Sequence, residues 1–317
     1  MKIEWSTDEW LVETTTWLDE RLAAAGVART GEVTQPRLRP WGTVLTAPTD
    51  QGPVWLKAPG PETVFEVGLY DLLHRIEARW VIQPIAVDVE RGMVLLPDGG
   101  AALGDQDVDL VDAMVKILPL YGQLQRDLAP HVDDLLKVGV NDMRAPVMLQ
   151  RFDEAVAIAG PGDDSTLRRV RAMRGTFGEW CDRLAAAVVQ PSLEHNDLHP
   201  RNILRNGEPK FYDWGDSVVA HPFASMMLGL GALQARFQVA VDDPVVTRPR
   251  DAYLEVFSDL APHADLVAEL ELACRVGKVA RALTWDRALR TDPSSDYRDA
   301  PLKCLAALLD NTWIAFI

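Results

Sequence analysis

The chain changes character at Pro97-Asp98-Gly99-Gly100, and this change restricts the possible folds more than any other stretch. Before it, short apolar runs alternate with turn clusters. After it, apolar residues recur at helical spacing. Val33, Leu38, Val44, Leu45, Val54, Trp55 and Leu56 fall in short stretches. Arg39-Pro40-Trp41-Gly42 and Pro48-Thr49-Asp50-Gln51-Gly52-Pro53 separate them, which predicts an antiparallel meander of about three strands over 30–58. An amphipathic helix is expected at 7–25, capped by Thr7 and ended by Gly26. A second is expected at 61–77, with Pro61 at its first position and Phe65, Leu69, Leu72 and Ile76 on one face. Residues 80–86 and 92–96 read as two more strands. Beyond the break, helices are predicted at 108–128, 145–158, 166–189, 221–240, 249–258, 263–290 and 300–315, with an exposed loop at 160–164. A chain of 317 residues exceeds one comfortable hydrophobic core. The expectation is an α+β protein of two lobes, a small antiparallel-sheet lobe at 1–97 and a larger, mainly helical lobe at 98–317.

Composition narrows the partners. A formal net charge of −15 disfavours a nucleic-acid backbone or an anionic membrane, since both need clustered Lys and Arg. No run of 18 apolar residues is present, and the acidic start Met-Lys-Ile-Glu-Trp lacks the apolar core of a signal peptide. Cys181, Cys274 and Cys304 are far apart in apolar contexts and read as buried free thiols. These features predict a cytoplasmic protein, monomeric or homodimeric, acting on a small molecule.

Chemistry concentrates in residues 193–216. His195, Asp197 and Asn202 fit H-x-D-x-x-x-x-N, and Asp213-Trp214-Gly215 fits D-hydrophobic-G; both are patterns of kinase phosphoryl-transfer sites. Phosphoryl transfer needs a metal site on the phosphates, a group that orients and deprotonates the attacking hydroxyl, and a cation on the phosphates left behind. Asp197 lies five residues before Asn202, so a tight loop can aim one at the acceptor and the other at a hard metal ion that prefers oxygen ligands. Asn206-Gly207 is a hairpin signal, and folding there returns Asp213 beside Asn202. His195-x-Asp197-x-His199 also collects the ligand types of a metal hydrolase, but His74, His131, His221 and His263 are isolated and offer no further ligand. Both histidines are expected to brace the loop. Asp216 can touch metal or substrate, or cap the next helix. Gly-x-Ser-x-Gly, a P-loop and a complete dinucleotide fingerprint are all absent.

Glu194-His195-Asn196-Asp197-Leu198-His199-Pro200-Arg201-Asn202-Ile203-Leu204, followed by Phe211-Tyr212-Asp213-Trp214-Gly215-Asp216, resembles the catalytic core of the aminoglycoside phosphotransferase family. This kinase-like group also includes choline, homoserine and sugar kinases. The resemblance implies the bilobal protein-kinase-like fold, ATP or GTP as phosphoryl donor, and Mg²⁺. It implies Asp197 as catalytic base and Asn202 and Asp213 as metal ligands. Lys57, at the end of the third strand, would bind the donor's α- and β-phosphates, held by Glu66 with Glu62 as the fallback partner. Leu95, Leu96 and Pro97 would form the hinge beside the adenine, although such leucines also suit a strand core. The usual glycines of the motif are replaced by Asn196 and Arg201, and Arg201 could reach a phosphate or narrow the acceptor site. The turn expected to cover the phosphates carries only Gly42.

The reading is a small-molecule kinase acting on a hydroxyl of an aminoglycoside, amino sugar, sugar or amino alcohol. The alternative is a catalytically silent nucleotide-binding regulatory protein of the same fold. Acceptor contacts are expected from Asp216, Trp285 and Asp286, with Asp296 and Tyr297 beyond. An aminated acceptor would want several carboxylates there. A plain sugar would want mixed hydrogen bonding and an aromatic platform.

Overall fold

The computed structural model describes residues 4–39, 41–159, 165–290, 296–310 and 312–314. The expected loop at 160–164 lies outside them, as do Pro40 of the first turn and residues 311 and 315 of the last predicted helix. Helix α1 (Asp8–Ala24) begins where the Thr7 hydroxyl accepts the Trp10 amide at 3.2 Å, and Gly26 turns the chain away with a φ of 71°. Strands β1 (Thr34–Arg39), β2 (Gly42–Ala47) and β3 (Val54–Pro59) form the meander. Helix α2 (Phe65–Ile76), β4 (Ala86–Asp88) and β5 (Met93–Pro97) follow, giving an antiparallel sheet of order β1-β2-β3-β5-β4.

Register divides this sheet into two faces. Leu45, Leu56 and Leu95 lie opposite one another across β2, β3 and β5, and close on Trp17, Leu18 and Leu22 of α1. Val44, Lys57 and Val94 align on the other face, since side chains alternate along a strand. Lys57 therefore points away from the α1 core by the period of two alone.

The strand expected at 80–86 is not formed; β4 starts only at Ala86. Trp80, Val81 and Ile82 are buried. The Trp80 carbonyl accepts the Phe211 amide at 2.8 Å, and Val81 bridges Phe211. An apolar triplet can be strand or core, and here distant packing decided.

Past the break come β6 (Ala101–Ala102), α3 (Leu110–Leu128), α4 (Val132–Lys137), β7 (Asn141–Asp142) and α5 (Ala145–Ile158). The helix expected at 166–189 is two, α6 (Ser165–Ala172) and α7 (Arg174–Ala185). Then follow β8 (Ser192–Glu194), β9 (Ile203–Asn206), β10 (Glu208–Phe211), β11 (Val218–Ala220) and helices α8 (Met226–Phe237), α9 (Pro244–Glu255), α10 (His263–Leu289) and α11 (Ala300–Ala306). Helix α9 begins five residues before the expected 249, because Asp243 caps it by accepting the Val245 amide at 2.8 Å. Helix α10 has buried residues on every side and runs through the centre of the helical part. The three cysteines are buried and unpaired. Among the described residues no helix is long and apolar enough to cross a membrane.

Candidate active site

Two short pairings hold the central segment. Strand β11 lies antiparallel to β8, with Val218 opposite Glu194, so the loop after β8 and the turn before β11 emerge at the same end. The β9–β10 hairpin turns at Asn206-Gly207, where Gly207 has a φ of 87°, and sets Phe211 against Ile203. The Tyr212 amide then donates to the Asn202 carbonyl at 3.3 Å, which brings Asp213 beside Asn202 as the hairpin spacing predicts.

Two non-glycine residues of this segment have left-handed backbone, Asn196 (φ 58°) and Asp213 (φ 65°). Asn and Asp tolerate that region better than other side chains, but it still carries strain. Glycine adopts this backbone without strain, which gives a physical reason for the glycine that the family resemblance implies at this position. Its side chain donates to Thr284 Oγ1 at 2.8 Å and its amide to Glu194 Oε1 at 2.7 Å. The Asp213 amide donates to the Tyr70 hydroxyl at 3.2 Å.

Asp197 is held through both carboxylate oxygens. Oδ2 accepts from Asn202 Nδ2 at 3.0 Å and lies 3.5 Å from His199 Nε2, while Oδ1 accepts from Arg281 Nη2 at 2.9 Å. Burial pushes this carboxyl up, but the Arg281 guanidinium and His199 outweigh it and hold the group below the usual carboxylate range. Lys57 bonds Glu66 at 2.7 Å and also Asp213. Burial alone would lower the Lys57 ammonium; the carboxylates of Asp213 and Glu66 hold it above its ordinary value. Glu66 is fully buried and is pushed up to about 7 by desolvation, with Lys57 acting against the shift.

A cavity of about 200 Å³ joins these groups. Lys57, Glu66, Asp197, Asp213 and Asp216 line it. Arg37, Arg39, Trp41 and Gly42 stand on the sheet side and Arg281, Thr284, Trp285 and Ala288 on the α10 side. The last four lie at i, i+3, i+4 and i+7, a single helix face. Asp286 falls off that face and bonds Arg290 at 3.1 Å, so the structure does not place it in the cavity as expected. Trp285 does line it. Tyr297 stacks on Trp285 at 5.3 Å, and the buried indole nitrogen has no hydrogen-bond partner among the described residues.

Glu62 pairs with Arg290 at 2.9 Å, leaving Lys57 to Glu66. Leu95 faces the α1 core, so its side chain is on the wrong side of the sheet for an adenine; Leu96 shares the Lys57 face, and Pro97 closes the strand half-buried. Arg201 turns out to Asp105 at 3.1 Å instead of into the cavity. His195 is buried, bonds the Tyr212 carbonyl at 2.9 Å and packs on Trp214, which makes it a brace. His199 accepts the Arg201 amide at 3.1 Å. Among the described residues no three His, Cys, Asp or Glu side chains converge as a metal cluster. Arg281, Thr284, Arg37 and Arg39 are the site residues that sequence reasoning missed. Only the helical spacing of 281, 284 and 285 could have signalled the first two.

A five-stranded sheet whose Lys57 pairs with Glu66 of α2, set against a mainly helical part whose loops carry Asp197, Asn202 and Asp213, is the architecture of the protein-kinase-like fold. The model of the phosphotransferase enzyme family matches residues 53–263, and the chain belongs to that family. It is accordingly an enzyme of phosphoryl transfer. Solved structures agree in fold. An ethanolamine kinase from Plasmodium vivax is 12% identical at a TM-score of 0.65, covering 96% of this chain and 90% of its own. A macrolide 2'-phosphotransferase from Brachybacterium faecium is 18% identical at 0.54, covering 93% and 98%. A spectinomycin phosphotransferase in complex with ADP and spectinomycin is 12% identical at 0.54, covering 93% and 94%. No curated protein matches the chain.

Proposed function

We propose that the chain transfers the γ-phosphoryl group of ATP or GTP to a hydroxyl of a small molecule, in the cleft between a sheet lobe at 1–97 and a helical lobe at 98–317. The observation that carries this reading is the placement of Lys57, bound to both Glu66 and Asp213, in the same cavity as Asp197. The ordered ammonium is positioned for the α- and β-phosphates. The exposed guanidiniums of Arg37 and Arg39, which pair with no carboxylate among the described residues, add positive charge where a glycine-rich loop is lacking. Leu96 and Pro97 are the apolar groups offered to the base.

The acceptor oxygen attacks the γ-phosphorus, and the bond from that phosphorus to the β–γ bridging oxygen breaks as the nucleoside diphosphate, ADP or GDP, leaves. Asp197 orients the attacking hydroxyl and takes its proton. Its two oxygens are already fixed by Asn202 and Arg281, so little reorganisation is needed. The Asn202 side-chain oxygen and the second Asp213 oxygen make no hydrogen bond among the described residues, and as hard donors they fit Mg²⁺. Such an ion supplies neutralisation of phosphate charge. Asp216 and Trp285 face the acceptor.

The test is an acceptor screen with ATP and GTP, covering aminoglycosides, amino sugars, sugars and amino alcohols, read by mass spectrometry of the product. Asp197→Ala is expected to lose turnover by on the order of 10²-fold or more. Full turnover in that variant would refute the mechanism. Nucleotide binding without product across the panel would point to the silent regulatory alternative.

A further inference from the structure

The acceptor half of the cavity already contains its own cation. Arg281 is 6% exposed and rises from α10 into the catalytic loop. Its Nη1 donates to Asp216 Oδ2 at 2.7 Å and to the Asn196 carbonyl at 3.0 Å, and its Nη2 donates to Asp197 Oδ1 at 2.9 Å. The guanidinium carbon also sits 5.1 Å from the centroid of the Trp285 ring. Both features that bind an amine or quaternary ammonium, paired carboxylates and an open aromatic face, are therefore taken by one internal side chain. The acids at the rim are neutralised as well, since Arg290 bonds both Glu62 and Asp286. What remains toward the cavity is Thr284 and the part of Trp285 covered by neither Arg281 nor Tyr297.

We infer that Arg281 is a specificity-determining residue that makes the acceptor an uncharged hydroxyl compound, a sugar-like polyol, and excludes polyamine and ammonium acceptors. This role rests on the kinase reading and deepens it. A cationic acceptor must either displace a buried guanidinium or approach it, and both are unfavourable in a water-poor site. A polyol needs only donors, acceptors and an apolar ring.

The test compares wild type, Arg281→Met and Arg281→Lys, using choline and spectinomycin as cationic probes and D-glucose and myo-inositol as neutral ones. Binding is measured by calorimetry and ADP release in parallel. The wild type is expected to bind neither cation measurably. Arg281→Met, which uncovers Asp197, Asp216 and the Trp285 face, is expected to gain choline affinity by about tenfold or more. Arg281→Lys retains a cation and is expected to stay like the wild type. Choline or spectinomycin binding to the wild type more tightly than the neutral probes overturns the inference, whether or not the variants fold. So does an unchanged choline affinity in folded Arg281→Met. The binding arm does not depend on turnover. A choline gain in Arg281→Met with no ADP release from any protein would sink the kinase reading while leaving the charge assignment standing.

Discussion

Glu194 offers a direct test of the energetics of the catalytic loop. Its carboxyl is 1% exposed, and Oε1 accepts the Asn196 amide at 2.7 Å and the Ser225 hydroxyl at 3.0 Å, while Oε2 is buried without a partner among the described residues. Burial pushes the group up from an ordinary 4.5 to about 7, only partly offset by those two hydrogen bonds. A carboxyl raised in the folded state contributes stability that is intact below the unfolded value and is lost as pH climbs through the folded one. A tenfold change in proton affinity is worth about 1.36 kcal/mol. Integrating the two titrations from pH 5.5 to pH 8 gives a loss of roughly 2 kcal/mol from this residue. Glu66 is pushed up to about 7 as well, so the total slope of the wild type belongs to more than one group. Glu194→Gln isolates the share of Glu194, because the amide keeps the accepting oxygen and does not ionise. The assay is urea unfolding followed by tryptophan fluorescence at both pH values. The stability of the variant relative to the wild type is expected to rise by about 2 kcal/mol between pH 5.5 and pH 8. A relative stability that is flat over this range would show that Glu194 is not held uncharged by burial.

The left-handed backbone at Asn196 predicts an asymmetry between two substitutions: both remove the bond to Thr284, but glycine relieves the φ of 58° and alanine does not. Asn196→Gly should therefore unfold about 1 kcal/mol harder than Asn196→Ala, checked by the same urea titration. Gly215 packs against the ion pair, and an added Cβ would meet Glu66 Oε2 at 3.0 Å. Gly215→Ala is expected to cost about 1–3 kcal/mol from overpacking and to weaken nucleotide binding in a calorimetric titration, because the displaced carboxylate shifts Lys57.

Much of the site was legible before folding because it is local. Asp197, Asn202 and Asp213 lie within 17 positions and are joined by a hairpin whose turn is encoded by Asn206-Gly207. Lys57 and Glu66 were legible because a strand end and the following helix are neighbours by connectivity. The readings that failed share a different origin. Trp80–Ile82 looked like strand, and the Leu95 side chain packs on the α1 core and not on the Lys57 face, because apolar residues carry no mark of which surface they will face. Asp286 looked like a ligand because its carboxylate is adjacent in sequence to Trp285, yet one step along a helix turns a side chain by about 100°. The two-residue strands β6 and β7 are too short to show any period.

The sequence by itself determined the class of reaction expected: Asp197, Asn202, Asp213 and Lys57 at spacings that suit phosphoryl transfer, with a break that separates sheet from helices. Tertiary structure alone decided the state of those groups. Arg281 stands 84 positions from Asp197, and no pattern within either segment announces that it will bridge Asp197 and Asp216. That contact exists because β8 and β11 hold the loop against the C-terminal third of α10. The electrostatics of an acceptor pocket depend on which charges meet in low dielectric, and packing alone sets that.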